Sequence, residues 1–471
     1  MFSNINNQIN IIPANKTFSR GYRLDPSQYN VITERIIIKA KTAGIPTPTM
    51  DELNCIESIY LPNRFSRNYT GDSNIGTPML GTSTMLNMRL PKTSRIFTDK
   101  QKDADKLFIQ PNDILVSRSG TVGTSVLCGK SYEGFIASDH CLRVRINDKY
   151  RGYIAAYLRT KYGFPLLEKD AHGKVIKELV ESNIRTLPVI LFSEILDDVN
   201  DLMYRATNLY DEARSLFDSV EEKLLKCLEN YIPKTIQPFQ NIVPFSSLHA
   251  NRLDPHMHDP YTNYLYHATE NSKNYVNLCD VASIWGTSRF KRHYLPEDNP
   301  NGIGLYSSTD IVRANLFPSK YISRTLNAKD LKNCTIQKDT ILVPCSGAYG
   351  GVLGHGMLAG ASMDGKAVTQ HVLRIARKDS TSINLFHYIA AFLCSDKYGY
   401  HLITSTRFGK DIPEIDINAL NRILVPRIDE NDENEIGSLF YQASLLQEEA
   451  NELENAAIHL IESYYESKTL S

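Results

Sequence analysis

Two halves of this 471-residue chain carry the same short motifs in the same order. Arg23-Leu24-Asp25-Pro26 returns as Arg252-Leu253-Asp254-Pro255. Ser58-Ile59, followed by Arg64-Phe65-x-Arg67-x-Tyr69, returns as Ser283-Ile284, followed by Arg289-Phe290-x-Arg292-x-Tyr294. Ile114-Leu115-Val116-x-x-Ser119-Gly120-x-x-Gly123 returns as Ile341-Leu342-Val343-x-x-Ser346-Gly347-x-x-Gly350. His140-x-Leu142-Arg143, Tyr153-Ile154-Ala155-Ala156, Lys161-Tyr162-Gly163 and Gly173-Lys174-x-Ile176 all recur as well, at His371, Tyr388, Lys397 and Gly409. The spacing between matching motifs runs only from 225 to 236 residues. Solenoid repeats are about 20–50 residues long, so this period means two similar domains and one task performed at two places.

Composition sets broad limits. Apolar content of 42% and charged content of 22% describe a folded water-facing chain rather than a disordered one. No stretch approaches the roughly 20 apolar residues of a membrane span. Met1 to Arg20 is polar and lacks the apolar run of a signal peptide. The eight cysteines are scattered, with no Cys-x-x-Cys, which fits a reducing compartment better than a disulfide framework or a zinc site. The cytoplasm is the expected location, and no membrane contact is expected.

The net charge of −1 hides a strong segregation. Residues 194–230 hold 10 acids and 4 bases, and residues 429–466 hold 11 acids and no Lys or Arg. The remainder therefore carries +16, with 17 bases against 10 acids over 85–178 and 16 against 8 over 285–410. Two basic bodies alternate with two acidic segments, a pattern that suits a polyanionic partner.

The acidic segments read as long helices. Apolar residues fall at Ile195, Val199, Leu202, Ala206, Leu209, Ala213, Leu216 and Val220 in the first. In the second they fall at Ile436, Leu439, Ala443, Leu446, Ala450, Leu453, Ala457, Leu460 and Tyr464. Alternating steps of three and four are the seam of a coiled coil. Each segment ends a repeat, so each is the natural partner of the other, most simply as an antiparallel pair. The span from Ile195 to Val220 is about 38 Å at 1.5 Å per residue. That corresponds to roughly 11 base pairs, about one turn of B-DNA.

Within the basic bodies, Asp113-Ile114-Leu115-Val116 and Thr340-Ile341-Leu342-Val343 are predicted buried strands, and Tyr153 to Tyr162 and Leu385 to Tyr398 predicted helices. The glycine-rich turns after the strands permit close approach of a backbone. The clearest binding signal is a pair of basic-aromatic clusters. One holds Arg64, Phe65, Arg67 and Tyr69; the other holds Arg289, Phe290, Lys291, Arg292 and Tyr294. Arginine grips phosphate or guanine, and aromatic rings stack or pack on sugar. Arg118, Lys174, Arg407 and Lys410 are the further candidate DNA contacts.

Arg-Leu-Asp-Pro opening a domain, Asp113-Ile-Leu-Val-Ser-Arg-Ser-Gly-Thr-Val-Gly123 inside it, a Leu-Pro or Val-Pro segment leading into a long helix, and the whole unit repeated resemble the DNA specificity subunit of type I restriction-modification systems. The resemblance spans nearly the full chain. It implies an α/β (α+β) architecture of two tandem target-recognition domains, 1–192 and 232–428, with a central helical spacer at 193–231 and a C-terminal one at 429–471. Each domain would read one half of a bipartite, asymmetric double-stranded DNA site. The helices would dock two methyltransferase subunits, and restriction/translocase subunits would join them. The subunit itself would be non-catalytic and hold no cofactor or metal. S-adenosylmethionine, ATP and Mg are expected on the partner subunits. Ser117-Arg118 stands where the second copy has Pro344-Cys345, which fits two unlike half-sites.

Catalytic signatures are weak. The nearest approach to a methyltransferase Asn/Asp-Pro-Pro-Tyr run is Asp259-Pro260-Tyr261, one proline short. Gly123 to Gly129-Lys130-Ser131 has one residue too many for a phosphate loop, and Gly360 to Gly365-Lys366-Ala367 lacks the Ser or Thr that holds magnesium. His256 and His258 have no counterparts after Pro26, so a polar domain entrance is expected there rather than a metal site. His140 and His371 recur without a repeated nucleophile and are expected to be core or hydrogen-bonding residues. Two other readings remain at this stage. A single-chain nuclease would require a clustered acidic metal site, and a coiled-coil adaptor without a DNA role would show no salt-dependent binding to duplex DNA. If the helix pair spaces the two readers, adding one heptad to both helices will lengthen the gap between preferred half-sites in a binding selection. An unchanged gap contradicts that spacing role.

Overall fold

A computed structural model describes residues 31–70, 75–92, 94–98, 104–169, 178–233 and 255–470. Lys174, the whole Arg23–Pro26 motif and Arg252 to Asp254 lie outside the described residues. The chain forms two compact units, one from 1–208 with 452–471 and the other from 209–451.

The first unit holds β1 (Ile56–Tyr60), β2 (Tyr69–Thr70), β3 (Thr77–Leu80), β4 (Arg95–Ile96), β5 (Asp113–Ser117), β6 (Ser125–Leu127), β7 (Ile136–Ala137) and β8 (Cys141–Ile146). They form one antiparallel sheet, β1-β8-β5-β6, and a second, β2-β4-β3-β7, whose last pair is parallel. The strand predicted over Asp113–Val116 runs from Asp113 to Ser117 and is buried along its whole length. Side chains alternate across it: Ile114 and Val116 join the helix-facing core, while Leu115 joins a separate cluster with Leu80, Met85 and Tyr132. Helices α1 (Val31–Thr42), α2 (Arg151–Tyr157), α3 (Gly163–Lys169) and the start of α4 (Leu196–Cys227) complete this unit.

The second unit repeats the plan. Its strands are β9 (Tyr275–Asn277), β10 (Ala282–Trp285), β11 (Tyr294–Leu295), β12 (Gly302–Tyr306), β13 (Lys320–Ser323), β14 (Ile341–Pro344), β15 (Met357–Leu358), β16 (Ala367–Val368), β17 (Val372–Arg377), β18 (Arg407–Phe408), β19 (Glu414–Ile415) and β20 (Leu424–Pro426). The sheets β10-β17-β14-β15 and β11-β13-β12-β16 match the first unit strand for strand, including the parallel last pair. Its helices include α5 (Pro260–Ser272), α6 (Ile383–Leu393), α7 (Gly399–Ser405) and α8 (Glu430–Thr469), the last entering the first unit at Glu452.

Register places an insertion that the motif match conceals. Ile114 pairs with Leu127, and Ile341 with Leu358. The first members are 227 residues apart and the second members 231, so the second copy has four extra residues in this turn. The closing bond agrees: Gly123 N–H donates to Ser117 at 2.9 Å, and Gly354 N–H donates to Pro344 at 2.9 Å. Gly354, not Gly350, is therefore the counterpart of Gly123.

The two predicted α2 and α6 helices end early, before Lys161 and Lys397. A short polar residue breaks each: Thr160 Oγ1 donates to Tyr157 O and accepts from Gly163 N, while Ser395 Oγ donates to Phe392 O and accepts from Gly399 N. The glycine is obligatory, because a Cβ would lie 2.0 Å from Tyr157 O at Gly163 and 2.2 Å from Leu393 O at Gly399. The break turns backbone amides outward, each towards a glutamate of a long helix. In the first unit Lys161 N–H donates to Glu462 at 2.6 Å, and the Tyr162 ring lies 4.1 Å from that of Tyr465. In the second unit Lys397 N–H donates to Glu221 at 2.9 Å and Asp396 N–H to the same carboxylate at 3.2 Å.

The long helices pack together in both units; Val199, Ala206, Ala213 and Val220 in α4 and Ile436, Ala443, Ala450 and Ala457 in α8 are buried as predicted, while the alternate seam positions shift by one residue. The buried seam of α4 runs through Val199, Met203, Ala206, Tyr210, Ala213, Phe217, Val220 and Leu224, with Leu196, Asn200 and Arg214 also buried; Leu202, Leu209 and Leu216 lie half-buried beside it. In α8 the seam includes Phe440, Gln447, Glu454, Ile461 and Tyr465, one residue beyond the predicted Leu439, Leu446, Leu453, Leu460 and Tyr464. In α4 the larger Met203, Tyr210 and Phe217 take the interior. In α8 the polar exceptions are held by hydrogen bonds. Gln447 donates to the carbonyls of Arg313 and Ala314 at 3.1 and 3.0 Å, and Glu454 pairs with Arg159. In the second unit the partners run in opposite order along the two helices: Tyr210 meets Asn451, Phe217 meets Phe440, and Lys223 pairs with Glu435 at 2.7 Å.

Each long helix crosses a domain helix at a glycine, but the glycine lies on opposite partners. In the first unit it is Gly152 of α2, where a Cβ would come 2.7 Å from Asn200 Cα; Asn200 Oδ1 accepts from Tyr153 N–H at 2.8 Å. In the second it is Gly437 of α8, where a Cβ would come 2.9 Å from the Tyr388 nitrogen. An exposed helical Gly→Ala change stabilises by about 1 kcal/mol. Overpacking costs about 1–3 kcal/mol, so Gly437→Ala is expected to lower the urea midpoint despite its better helix propensity.

Candidate nucleic-acid interface

In each unit one rim gathers residues that are far apart in sequence. In the first, the segment 64–69 lies across the tip that carries Asp139 and His140. Arg67 forms an ion pair with Asp139. Ser119 Oγ lies 2.7 Å from His140 Nδ1, tying the glycine-rich turn to the same tip. Arg118 N–H donates to His140 O at 2.7 Å and Arg118 O accepts from Leu179 at 3.0 Å, so a third segment joins the rim. That segment brings Glu178, which pairs with Arg118 at 2.7 Å and lies 3.8 Å from Arg64.

The second unit builds the same rim. Cys345 N–H donates to His371 O at 2.9 Å, and Cys345 O accepts from Ile415 at 2.8 Å. Arg292 donates to Gln370 Oε1, Gln370 Nε2 lies 2.8 Å from His371 Nε2, and His371 Nδ1 bonds Ser346 Oγ. Burial, then the charges of Arg292 and Arg289, lower the His371 pKa against an opposing pull from Glu414. The imidazole is therefore neutral near pH 7. Its Nδ1–H donates to Ser346, and its Nε2 accepts from the Gln370 amide. Both recurring histidines thus brace hydrogen-bonded tips. Burial and the nearby Glu414 push the Cys345 thiol up to about 12, so it stays protonated rather than acting as a nucleophile.

The predicted contact residues separate into those facing outward and those holding the rim. Arg64, Tyr69, Arg289, Lys291, Tyr294 and Lys410 are exposed. Phe65 packs on the cluster of Met79, Ile96, Leu107 and Ile136, and Phe290 on that of Ile303, Leu305 and Ile322. Tyr69 and Tyr294 are left as the exposed rings of the two clusters. Arg67, Arg118 and Arg292 are half-buried and engaged as described. Arg407 donates to Thr404 O at 2.6 Å and its other Nη lies 2.7 Å from His256 Nδ1; its guanidinium stands 4.1 Å over the Tyr349 ring. Asp139, Gln370, Glu178 and Tyr349 were not picked out from sequence. The polar residue directly before each repeated histidine was the available signal for the first two.

The arginines of the His-x-Leu-Arg motifs serve the fold. Arg143 lies under Tyr60, 5.5 Å from its ring centroid, and donates to the carbonyls of Leu107 and Ala137, both at 2.6 Å. Arg374 lies 5.1 Å from the Trp285 centroid, and burial lowers its pKa to about 10. The first phosphate-loop look-alike leads only into a three-residue turn, Lys130–Tyr132, and the second into strand β16 at Ala367, so neither opens the helix that a phosphate loop caps. Among the described residues no group of three or more His, Cys, Asp or Glu is placed to hold a metal ion, and no helix is long and apolar enough to cross a membrane.

No family model and no curated protein matches the chain in sequence. Among solved structures it is similar to the S subunit of a type I restriction-modification system from M. genitalium, at 13% identity and a TM-score of 0.31, over 90% of this chain and 95% of that one. It is also similar to the HsdS subunit from Thermoanaerobacter tengcongensis, at 11% identity and a TM-score of 0.27, over 86% and 95%. The type IIG restriction endonuclease BpuSI aligns at 7% identity and a TM-score of 0.23, over 75% of this chain and 44% of that one.

The rims differ in their response to acid. Burial raises the Asp139 pKa, but the hydrogen bond and charge of Arg67 outweigh it and leave the pKa below the usual carboxylate range. That stabilisation is present above the ordinary value of about 4 and is lost as pH falls through the lower folded value. Asp139→Asn is therefore expected to lower the melting temperature at neutral pH, with the difference from the parent shrinking in strong acid. Equal differences at both pH values contradict this account.

Proposed function

We propose that this chain is a sequence-specific double-stranded DNA-binding subunit of a type I restriction-modification complex, non-catalytic itself. The observation that carries the reading is the same rim assembled twice on matching sheets, with exposed Arg and Tyr at the front and unlike residues at the turn. Direct readout needs hydrogen-bonding and apolar groups at base edges, flanked by cations on phosphate. Arg64 with Tyr69, and Arg289 and Lys291 with Tyr294, supply those types. Lys174 and Lys410 are proposed phosphate contacts, and Arg67, Arg118 and Arg292 set the rim that presents the others. The motif order that resembles specificity subunits agrees with this reading and extends it. Each target-recognition domain reads one half of a split site, and the helix pair serves as an antiparallel coiled-coil spacer that docks two methyltransferase subunits and the restriction/translocase subunits. S-adenosylmethionine, ATP and Mg belong to those partners.

Methylome sequencing of cells co-expressing the chain with its cognate methyltransferase tests this. The expected result is methylation at a two-part motif with a fixed gap, and exchange of one domain changes one half only. Methylation without a split motif, or a domain exchange that alters both halves, contradicts the proposal.

A further inference from the structure

The four inserted residues of the second glycine-rich turn present a single large side chain. Ala348 to Gly351 form a tight turn closed by the Gly351 N–H bond to Ala348 O at 3.1 Å. Gly350 has φ +78, and a Cβ there would meet nothing within 4 Å, so the tip is open. Tyr349 sits on this tip with 54% of its surface exposed. The first copy has no such residue: its turn runs from Gly120 and Thr121 directly to Val122, which is buried in the core, as is its counterpart Leu353.

An exposed ring on an inserted loop is ordinarily mobile, but this one is braced. The Arg407 guanidinium stands 4.1 Å from its centroid, and the Tyr400 ring stacks on it at 6.2 Å with an interplanar angle of 27°. Tyr400 is in turn stacked by His355 at 4.5 Å. Arg407 is itself held by Thr404 and His256. The brace fixes the ring on the rim that also carries Ser346 and His371. Desolvating an apolar ring edge at the surface without a ligand gains nothing. Held rigid by the Arg407 guanidinium and the Tyr400 ring, it gives large contact area at low entropy cost.

We infer that Tyr349 is a specificity-determining contact of the second DNA half-site, packing its exposed edge on a base or its sugar, and that Arg407 is its positioning residue. The inference rests on the DNA-binding reading above. The two copies then read by different chemistry from one scaffold. The first presents Arg118 with Glu178 beside its short turn, and the second a braced aromatic on a longer one, with the buried Cys345 in the place of Arg118.

The test passes the full chain, Tyr349→Ala and a chain lacking Ala348–Gly351 through selection on a randomised duplex library, with affinity for the selected duplex followed against salt. Both variants are expected to lose base preference within one half-site only and to bind about tenfold more weakly. The salt slope stays unchanged, because no charge is removed. Tyr349→Ala alters a surface residue and decides the matter if the deletion does not fold. Arg407→Ala is expected to relax the same positions in the parent and to change nothing further in the Tyr349→Ala background, whereas a merely structural role would weaken both backgrounds alike. Variants that return the parental motif at parental affinity overturn the role of Tyr349 while leaving DNA binding intact. A parent that shows no salt-dependent binding overturns both.

Discussion

In each unit a backbone amide of the domain is aimed at a glutamate of a long helix, and this contact joins the two parts. Lys161 reaches Glu462, and Lys397 with Asp396 reaches Glu221, in both cases because the domain helix has been broken at a glycine just beyond. The N–H groups of Lys161, Asp396 and Lys397 lie in the turns just before α3 and α7, where a carboxylate satisfies donors that no helix carbonyl reaches. The acidity of the long helices therefore has a structural use besides keeping them soluble. It seats a domain on its helix at a defined position, with the donor supplied by the backbone and the acceptor by Glu462 or Glu221.

Around that anchor the scaffold is repeated closely and the rim is not. Both copies share strand order, the Ser–His bond, the Arg-to-tip bond and the buried Arg on an aromatic ring. They differ at Asp139 against Gln370, at Arg118 against Cys345, and in the four residues that bear Tyr349. A folded frame tolerates such exchange at its rim because the frame's stability lies in the sheets and the helix crossing. The swap of glycine between Gly152 and Gly437 illustrates the frame's own requirement: the close approach matters, and either side can provide the room.

Much of this was legible in the sequence. The repeat, the buried strand at Asp113–Ser117, the mixed domains and the two long helices that pack together all follow from motif order and hydrophobic period. Alternate seam positions shifted by one because Leu202, Leu209 and Leu216 fit the period as well as Met203, Tyr210 and Phe217, and because Gln447 and Glu454 are buried through tertiary partners that no period reveals. The helix breaks at Thr160 and Ser395 were hidden because the apolar period continues through Tyr162 and Tyr398 on the far side of each. The insertion escaped notice because Gly347-x-x-Gly350 imitates Ser119's turn by spacing alone, while the closing hydrogen bond belongs to Gly354. Convergence of Arg67, Asp139, Ser119 and Glu178 required the fold, since sequence separation says nothing of strand order.

The central claim is that two unlike rims on one scaffold read two parts of one DNA duplex. Hydroxyl-radical footprinting of the full chain on a duplex recovered by selection tests it most directly. Two short protected tracts separated by an unprotected gap, unlike in sequence, are the predicted result. One continuous tract, or uniform protection that vanishes with salt and carries no sequence preference, would contradict it.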